Sequence, residues 1–292
     1  MKVTIVGIGL IGGSLALSLK RNGFASEIMA VDNNETHLKK ALALGIADEV
    51  MSLDQALPKS DIIILAIPVD AAIGLLPTIL DQIEGEQIVA DMGSTKRDIC
   101  REVTGHPRRG SFVASHPIAG TENSGPEAAF ATLFLDKVGI ICDKEFSNPK
   151  ALTVIEKLYK SLFMRLTYMD ASEHDRHIAY VSHLSHITSF TLGLTVLEVE
   201  KNEKNIFDMA GSGFASTARL AKSSPAMWAP IFDQNAENLS KVLSAYIKNL
   251  ELFKELIDQG ERDRVFQLME EANDIRRILN GIELNENNKI KI

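Results

Sequence analysis

The sequence predicts an α/β N-terminal domain with a mainly parallel sheet over residues 1–170. An all-α helical domain follows over 171–284, and a polar tail over 285–292. Three observations predict this. Short apolar runs of strand length recur through the first part, separated by helix-like stretches. The first run ends in Gly7-Ile8-Gly9-Leu10-Ile11-Gly12, a glycine-rich turn leading into a helical pattern. After about Asp170 strand-like runs stop and helical spacing takes over.

Val3–Val6 is the first short apolar run, and Leu10–Arg21 has helical spacing that stops near Asn22-Gly23. Further runs are Ile28–Val31, Ile62–Ala66, Ile88–Ala90, Phe112–Ala114 and Val138–Cys142, and the last strand candidate is Met164–Met169. Continuous apolar runs of this kind read as strands buried on both faces, joined by right-handed crossovers. Glu173–Lys201 reads as one long helix. Ser224-Pro225 marks a helix start, with serine as cap and proline in the first turn. Leu239, Leu243, Tyr246, Leu250, Phe253 and Ile257 then alternate spacings of four and three, Gly260 interrupts, and Val265, Leu268, Ala272, Ile275 and Leu279 resume. A period near 3.5 makes a narrow apolar seam of the kind that joins helices in bundles. We expect this seam to build a homodimer interface.

A chain of 292 residues suits two domains, and a hydrophobic content of 45% supports a sizeable core. The net charge of -8 repels phosphate backbones, so nucleic acid is not expected as a partner. Cys100 and Cys142 form no metal or redox spacing and read as reduced thiols of a cytoplasmic protein. The first apolar run is broken at once by Gly7, unlike a signal peptide. No stretch approaches the roughly twenty apolar residues that span a bilayer.

The glycine turn supplies the first chemistry. Gly7 permits the tight turn, Gly9 lets a pyrophosphate approach the backbone, and Gly12 lets the helix pack close to the strand. The helix start at Leu10 and Ile11 offers free N–H groups to the anion. Asp32 stands twenty positions after Gly12, at the end of the second run, where a carboxylate accepts hydrogen bonds from ribose hydroxyls. It repels a 2′-phosphate, and Asn33 and Asn34 follow it instead of arginine. The expectation is a Rossmann-type domain that binds NAD in preference to NADP. Ala66, Ile67 and Pro68, at the end of the third run, complete the expected cofactor-binding set, together with Ser94.

Asp91-Met92-Gly93-Ser94-Thr95-Lys96 closes the run Ile88–Ala90, at a carboxyl end where ligands of open parallel sheets bind. Ser94 is therefore expected near the nicotinamide, and also as N-cap of the next helix. His116 follows the run Phe112–Ala114 and is held by Pro117. Oxidation of an alcohol needs a group that takes the hydroxyl proton as hydride leaves, and imidazole titrates in the right range.

The fingerprint IVGIGLIGGSLA and the segments DMGSTK, SHPIAGTENSG, HDRHIAYVSHLSH and GSGFASTARLAKSSPAMW, in that order, resemble the prephenate/arogenate dehydrogenase family over roughly residues 1–280. The resemblance implies an NAD-dependent oxidative decarboxylation in tyrosine biosynthesis. Hydride leaves the ring carbon that bears the hydroxyl, and the ring carboxylate leaves as CO2. It also implies roles. His116 matches the catalytic histidine, Ser94 the serine that supports it, Arg219 the arginine on a substrate carboxylate, and His186 a histidine near the substrate side chain. A dianionic substrate needs a cation, and a guanidinium fork fits a carboxylate at two points.

One segment departs from the family. Many relatives carry an acidic residue before Thr-Arg, where this chain reads Phe214-Ala215-Ser216-Thr217-Ala218-Arg219. Ser216 and Thr217 offer neutral hydroxyls there. Arogenate carries an ammonium where prephenate carries a keto group, and a desolvated ammonium needs a carboxylate. Prephenate is therefore the expected substrate, with arogenate as the alternative and Glu122 as the candidate partner for its ammonium.

His174, His177, His183 and His186 raise the question of a metal. On a continuous α-helix His174 and His183 fall on opposite sides, as do His177 and His186, so no metal site is expected. A hydroxyacid dehydrogenase using a lysine of the long helix is disfavoured, because Lys201 lies at its far end. A non-catalytic NAD-sensing protein on the same fold would leave His116, Ser94 and Arg219 idle.

Overall fold

The computed structural model describes the backbone of residues 1–201, 203 and 205–287, and side chains through residue 281. Eight strands form one sheet in the order β3-β2-β1-β4-β5-β6-β7-β8. They are β1 (Lys2–Val6), β2 (Glu27–Val31), β3 (Glu49–Val50), β4 (Ile62–Leu65), β5 (Ile88–Asp91), β6 (Phe112–Pro117), β7 (Val138–Cys142) and β8 (Arg165–Met169). All neighbours pair in parallel except β6 and β7.

Six of these strands coincide with the apolar runs, and β8 coincides with the last strand candidate. The eighth, β3, is a two-residue Glu-Val edge with no run to betray it. The strand β6 extends past Ala114 to Pro117, because antiparallel β7 supplies partners there, with His116 opposite Ile140. His116 is thus a residue of the sheet and not of the loop after it.

The connecting helices are α1 (Leu10–Arg21), α2 (Glu35–Ala43), α3 (Leu53–Ala56), α4 (Val69–Gln82), α5 (Arg97–Glu102) and α6 (Pro149–Ser161). Strand residues alternate between two apolar layers. Ile62 and Ile64 join Ile5, Leu15, Leu19 and Tyr159 on one face, while Ile63 and Leu65 join Leu76, Ile79 and Leu80 on the other. This two-sided burial is why the runs are continuously apolar. Each such side chain contributes about 1.5–3 kcal/mol on burial.

After β8 the chain is helical. The stretch read as one helix is α7 (Ala171–Ile178), a π-turn over Ala179–His183, and α8 (Leu184–Glu200). Then come α9 (Ser212–Ala218) and α10 (Pro225–Gln234). Ser224 is the N-cap of α10 by position, and Pro225 opens the first turn, but the serine side chain makes no capping bond. Trp228 and Ile231 of α10 pack against Val69 of α4, with Phe190 and Phe232 alongside. Because α10 is anchored in this way, the chain from Met1 to Leu239 is one compact unit.

Ser240–Ile292 is a second unit. It contains the rest of α11 (Ala236–Asp258), then α12 (Arg262–Ala272) and α13 (Arg276–Asn287). Gly260, at φ 71°, ends the first run of the seam as its position suggested. The seam itself divides. Leu239, Val242 and Leu256 are buried, whereas Ile247, Leu250 and Ile257 on the same helix are at least half exposed. Phe266, Met269, Ile275 and Ile278 continue the exposed apolar series. The expected tail over 285–292 begins inside α13, and its last five positions lie outside the described residues.

The glycine turn shows how closely α1 and β1 approach. A Cβ on Gly12 would collide with the Gly7 carbonyl and lie 2.9 Å from Ile5 Cγ2, whereas a Cβ on Gly9 would meet nothing within 4 Å. Gly12→Ala is therefore expected to lower unfolding free energy by about 2 kcal/mol, the scale of overpacking. Gly9→Ala should leave it within about 0.5 kcal/mol. Denaturant titration of the two variants checks the contrast.

Candidate active site

The carboxyl ends of β1, β2, β4 and β5 carry the glycine turn, Asp32, Ala66-Ile67-Pro68 and Ser94 on one side of the sheet. Gly7 adopts φ 92°, and a Cβ there would lie 2.5 Å from the Ala66 carbonyl oxygen. Glycine is thus required where the first and third strand ends nearly touch. The Gly9 position opens to free space, and no side chain caps α1. The N–H groups at Leu10 and Ile11 therefore face an uncrowded approach of the kind an anion needs. Asp32 Oδ2 accepts from the Ile8 N–H at 2.9 Å and Oδ1 from the Asn34 N–H at 2.8 Å, so the carboxylate is fixed against the turn. His37 Nδ1 approaches it at 3.6 Å. This cradle fits a dinucleotide.

At the next strand ends, β5 and β6 are stapled together. Ser115 Oγ donates to the Asp91 carbonyl at 2.8 Å and receives the Tyr159 hydroxyl at 2.8 Å, while Asp91 Oδ1 accepts from the Ser115 N–H. Lys96, fully buried, pairs with the other oxygen of Asp91. Beside this pair stands His116. Its Nδ1 lies 2.9 Å from His174 Nε2, and His174 Nδ1 lies 2.8 Å from Asp175 Oδ1. Asp175 Oδ1 also accepts from the Lys96 N–H at 2.7 Å, and its Oδ2 from the Arg97 N–H at 2.9 Å.

Those last two bonds correct an expectation. Ser94 is not the N-cap of α5; the helix starts after Lys96, and Asp175 from α7 satisfies its first N–H groups. Ser94 stays half-buried in the turn, with its hydroxyl not engaged in capping.

Burial dominates the electrostatics. It pushes His116 well below the ordinary histidine range, helped by the nearby charges of His174, Lys96 and His183. Burial also lowers His174, against the pull of Asp175. Asp175 would be raised by burial, but His174 and the two backbone N–H groups outweigh that and hold it low. His183 is pushed down to about 4, mainly by burial. A neutral imidazole at His116 is what a proton acceptor needs.

The expected substrate residues divide. Arg219, at the start of a 3₁₀ turn over Arg219–Lys222, pairs with Glu122 at 2.7 Å. Its own backbone N–H and Arg219 hold the Glu122 carboxyl below its usual range. His186 stacks on Trp228 with ring centroids 3.5 Å apart, and its Nδ1 bonds the Ser182 carbonyl. Ser216 and Thr217 both donate to the Gly213 carbonyl, so their hydroxyls are used within α9.

Sequence reasoning missed His174, Asp175, Lys96 and Asn235 as members of the site. It placed His174 and His183 on opposite faces by assuming 100° per residue throughout. The π-turn between them breaks that phase, and Asn235 Nδ2 contacts both the Asp175 carbonyl, at 2.7 Å, and His183 Nδ1, at 3.1 Å. The adjacent His174-Asp175 pair was the available signal. Among the described residues no group of three or more histidines, cysteines or carboxylates is arranged to hold a metal. No described helix is long and apolar enough to cross a membrane.

Comparison with known proteins bears on this geometry. The family model for the nucleotide-binding domain of prephenate dehydrogenase matches residues 15–168, and that for its dimerization domain matches residues 170–271. A prephenate dehydrogenase of Bacillus subtilis is 30% identical over 287 residues, covering 94% of this chain and 76% of that protein. A cyclohexadienyl dehydrogenase of Zymomonas mobilis is 29% identical, covering 95% of each chain. The crystal structure of an Aquifex aeolicus prephenate dehydrogenase with hydroxyphenyl propionate and NAD+ superposes with a TM-score of 0.83 at 32% identity, covering 96% of this chain and 98% of that one.

The buried histidines make stability acid-sensitive. His183 is lowered in the folded state, so the unfolded chain binds the extra proton between about pH 6.5 and 4. Stability is fully present above that window and is lost as pH falls through it. His183 alone contributes about 3 kcal/mol, since a tenfold change in proton affinity corresponds to about 1.4 kcal/mol. Melting temperature should fall steadily from pH 7 to 4.5. A His183→Gln variant should show a shallower decline.

Proposed function

The chain belongs to the prephenate dehydrogenase family and is an NAD-dependent dehydrogenase, and from this premise we propose that it converts prephenate to 4-hydroxyphenylpyruvate with release of CO2 and NADH. The observation that carries the reading is His116, a neutral, buried imidazole bonded at Nδ1 to His174. It stands on β6, beside the strand ends that bear the dinucleotide cradle.

Gly7, Gly9, Gly12 and the first N–H groups of α1 hold the pyrophosphate of NAD, and Asp32 the adenosine ribose. Ala66, Ile67, Pro68 and Ser94 line the approach to the nicotinamide. Bound there, NAD accepts the hydride from the ring carbon that bears the hydroxyl. His116 receives the hydroxyl proton at Nε2, and Ser94 orients that hydroxyl. Loss of the hydride and the hydroxyl proton leaves a ring carbonyl. The C–C bond to the ring carboxylate then breaks, CO2 departs, the freed electron pair completes the aromatic ring, and the phenolate oxygen takes the proton back from His116. Aromatisation makes the step irreversible.

Arg219 binds a substrate carboxylate, which competes with Glu122 for the guanidinium. This pairing also favours prephenate over arogenate. Glu122, the carboxylate singled out as a partner for an ammonium, is already engaged by Arg219 at 2.7 Å. Ser216 and Thr217 act as neutral neighbours of the entrance. His186 is positioned for the substrate side chain by its stacking on Trp228.

We assign residues 1–170 to nucleotide binding and 171–284 to substrate binding and dimerisation. A second copy of the chain covers the exposed apolar face of Ile247, Leu250 and Ile257. A cytoplasmic location fits a pathway enzyme with two buried, reduced cysteines.

The test is the rise of NADH absorbance with prephenate and NAD. His116→Asn should keep NAD affinity and lower kcat by about 100- to 10,000-fold. Arg219→Ala should raise KM for prephenate by about 10- to 100-fold, the worth of a charge-assisted bond, with kcat within about threefold. A kcat/KM for arogenate tenfold above that for prephenate, about 1.4 kcal/mol, would reverse the substrate assignment. Light scattering should give a dimer, and Leu250→Asp should shift it toward monomer.

A further inference from the structure

His174 and Asp175 have no part in the chemistry assigned so far, yet they are almost completely buried, at 1% exposure each. Groups of this kind are costly to bury unless their bonds are complete. Here the bonds form a directed chain. An ionised carboxylate only accepts hydrogen bonds. Asp175 Oδ1 faces His174 Nδ1 at 2.8 Å, so that nitrogen carries the proton. A neutral His174 then presents a lone pair at Nε2, and His116 Nδ1, 2.9 Å away, must be the donor. His116 is left with its lone pair on Nε2. The reverse order would require a doubly protonated His174, which burial and the charge of Lys96 oppose.

We propose that His174 and Asp175 are positioning residues: they lock His116 in the tautomer whose Nε2 lone pair meets the substrate hydroxyl. The inference rests on His116 being the base. When Nε2 takes the proton, the imidazolium keeps its Nδ1–H bond to His174 and no second proton needs to move. The ring orientation is held as well, because Asp175 is anchored from three directions. Its carboxylate binds the Lys96 and Arg97 N–H groups, and its carbonyl accepts from Asn235 Nδ2. The His116 and His174 rings meet edge to face at 67°, with centroids 5.1 Å apart. The other charged or titratable groups around them are Lys96, Asp91 and His183.

The tautomer is read directly from long-range proton–nitrogen spectra of protein carrying 15N-labelled histidine, in which seven residues need assignment. At neutral pH the wild type should show His116 protonated at Nδ1 and bare at Nε2, with His174 the same. An Nε2–H tautomer of His116 in the wild type overturns the proposal. This readout requires no turnover, so it stands apart from failure of the prephenate assay. In Asp175→Ala the acceptor of the His174 Nδ1–H is removed, and His174 and His116 should no longer each hold a single tautomer. Turnover should then fall by about 100-fold or more, with KM and NAD affinity within about threefold. His174→Gln keeps an acceptor for His116 and should retain the wild-type tautomer with a smaller loss of kcat. Turnover of Asp175→Ala within threefold of wild type, with the fold intact by its melting curve, also overturns the proposal.

Discussion

The carboxylate of Asp175 ties together pieces of chain that no local preference would join. It sits on α7, after the last strand, yet its oxygens complete the N-terminus of α5 and orient His174. A buried carboxylate without partners would cost several kcal/mol. With three N–H donors it is stable, and each charge-assisted bond contributes about 1.5–3 kcal/mol. The consequence is geometric. The turn that carries Ser94, the strand that carries His116 and the helix that carries His174 cannot shift independently.

A second buried pair works in the same direction. Lys96 and Asp91 neutralise one another between the ends of β5 and β6, and Asp91 also holds the Ser115 N–H. Lys96 is close enough to His116 to disfavour the imidazolium. His116 is therefore kept neutral by burial and by nearby positive charge. Antiparallel β7 adds the last restraint, because it extends β6 through Pro117 and places His116 within a paired strand.

The second unit follows another logic. Its helix α11 buries Leu239, Val242 and Leu256 but leaves Ile247, Leu250 and Ile257 open. Leu239 and Ile257 lie five full turns apart on one face of the helix, so the seam read at period 3.5 is buried at its first position and open at its last. The family model that matches residues 170–271 is that of a dimerization domain.

Much of this was legible in the chain itself. Strands buried on both faces must be continuously apolar, and α1 cannot approach β1 unless Gly12 lacks a side chain, so six strands and the cofactor cradle were visible in residue order. His116 and Arg219 stood out as candidates because their chemistry suits a hydroxyl proton and a carboxylate. The two-residue β3 was not, since Glu49 and Val50 make no pattern. Nor was the relation of His174 to His183, because one π-turn resets the angular phase that 3.6 residues per turn would dictate. The capping of α5 by Asp175, the pairing of Arg219 with Glu122 and the use of Ser216 and Thr217 within their own helix all depend on which residues become neighbours. Periodicity records which face of an element is apolar. It holds no record of which buried polar groups will meet across elements distant in sequence, and at this site those meetings set the state of His116.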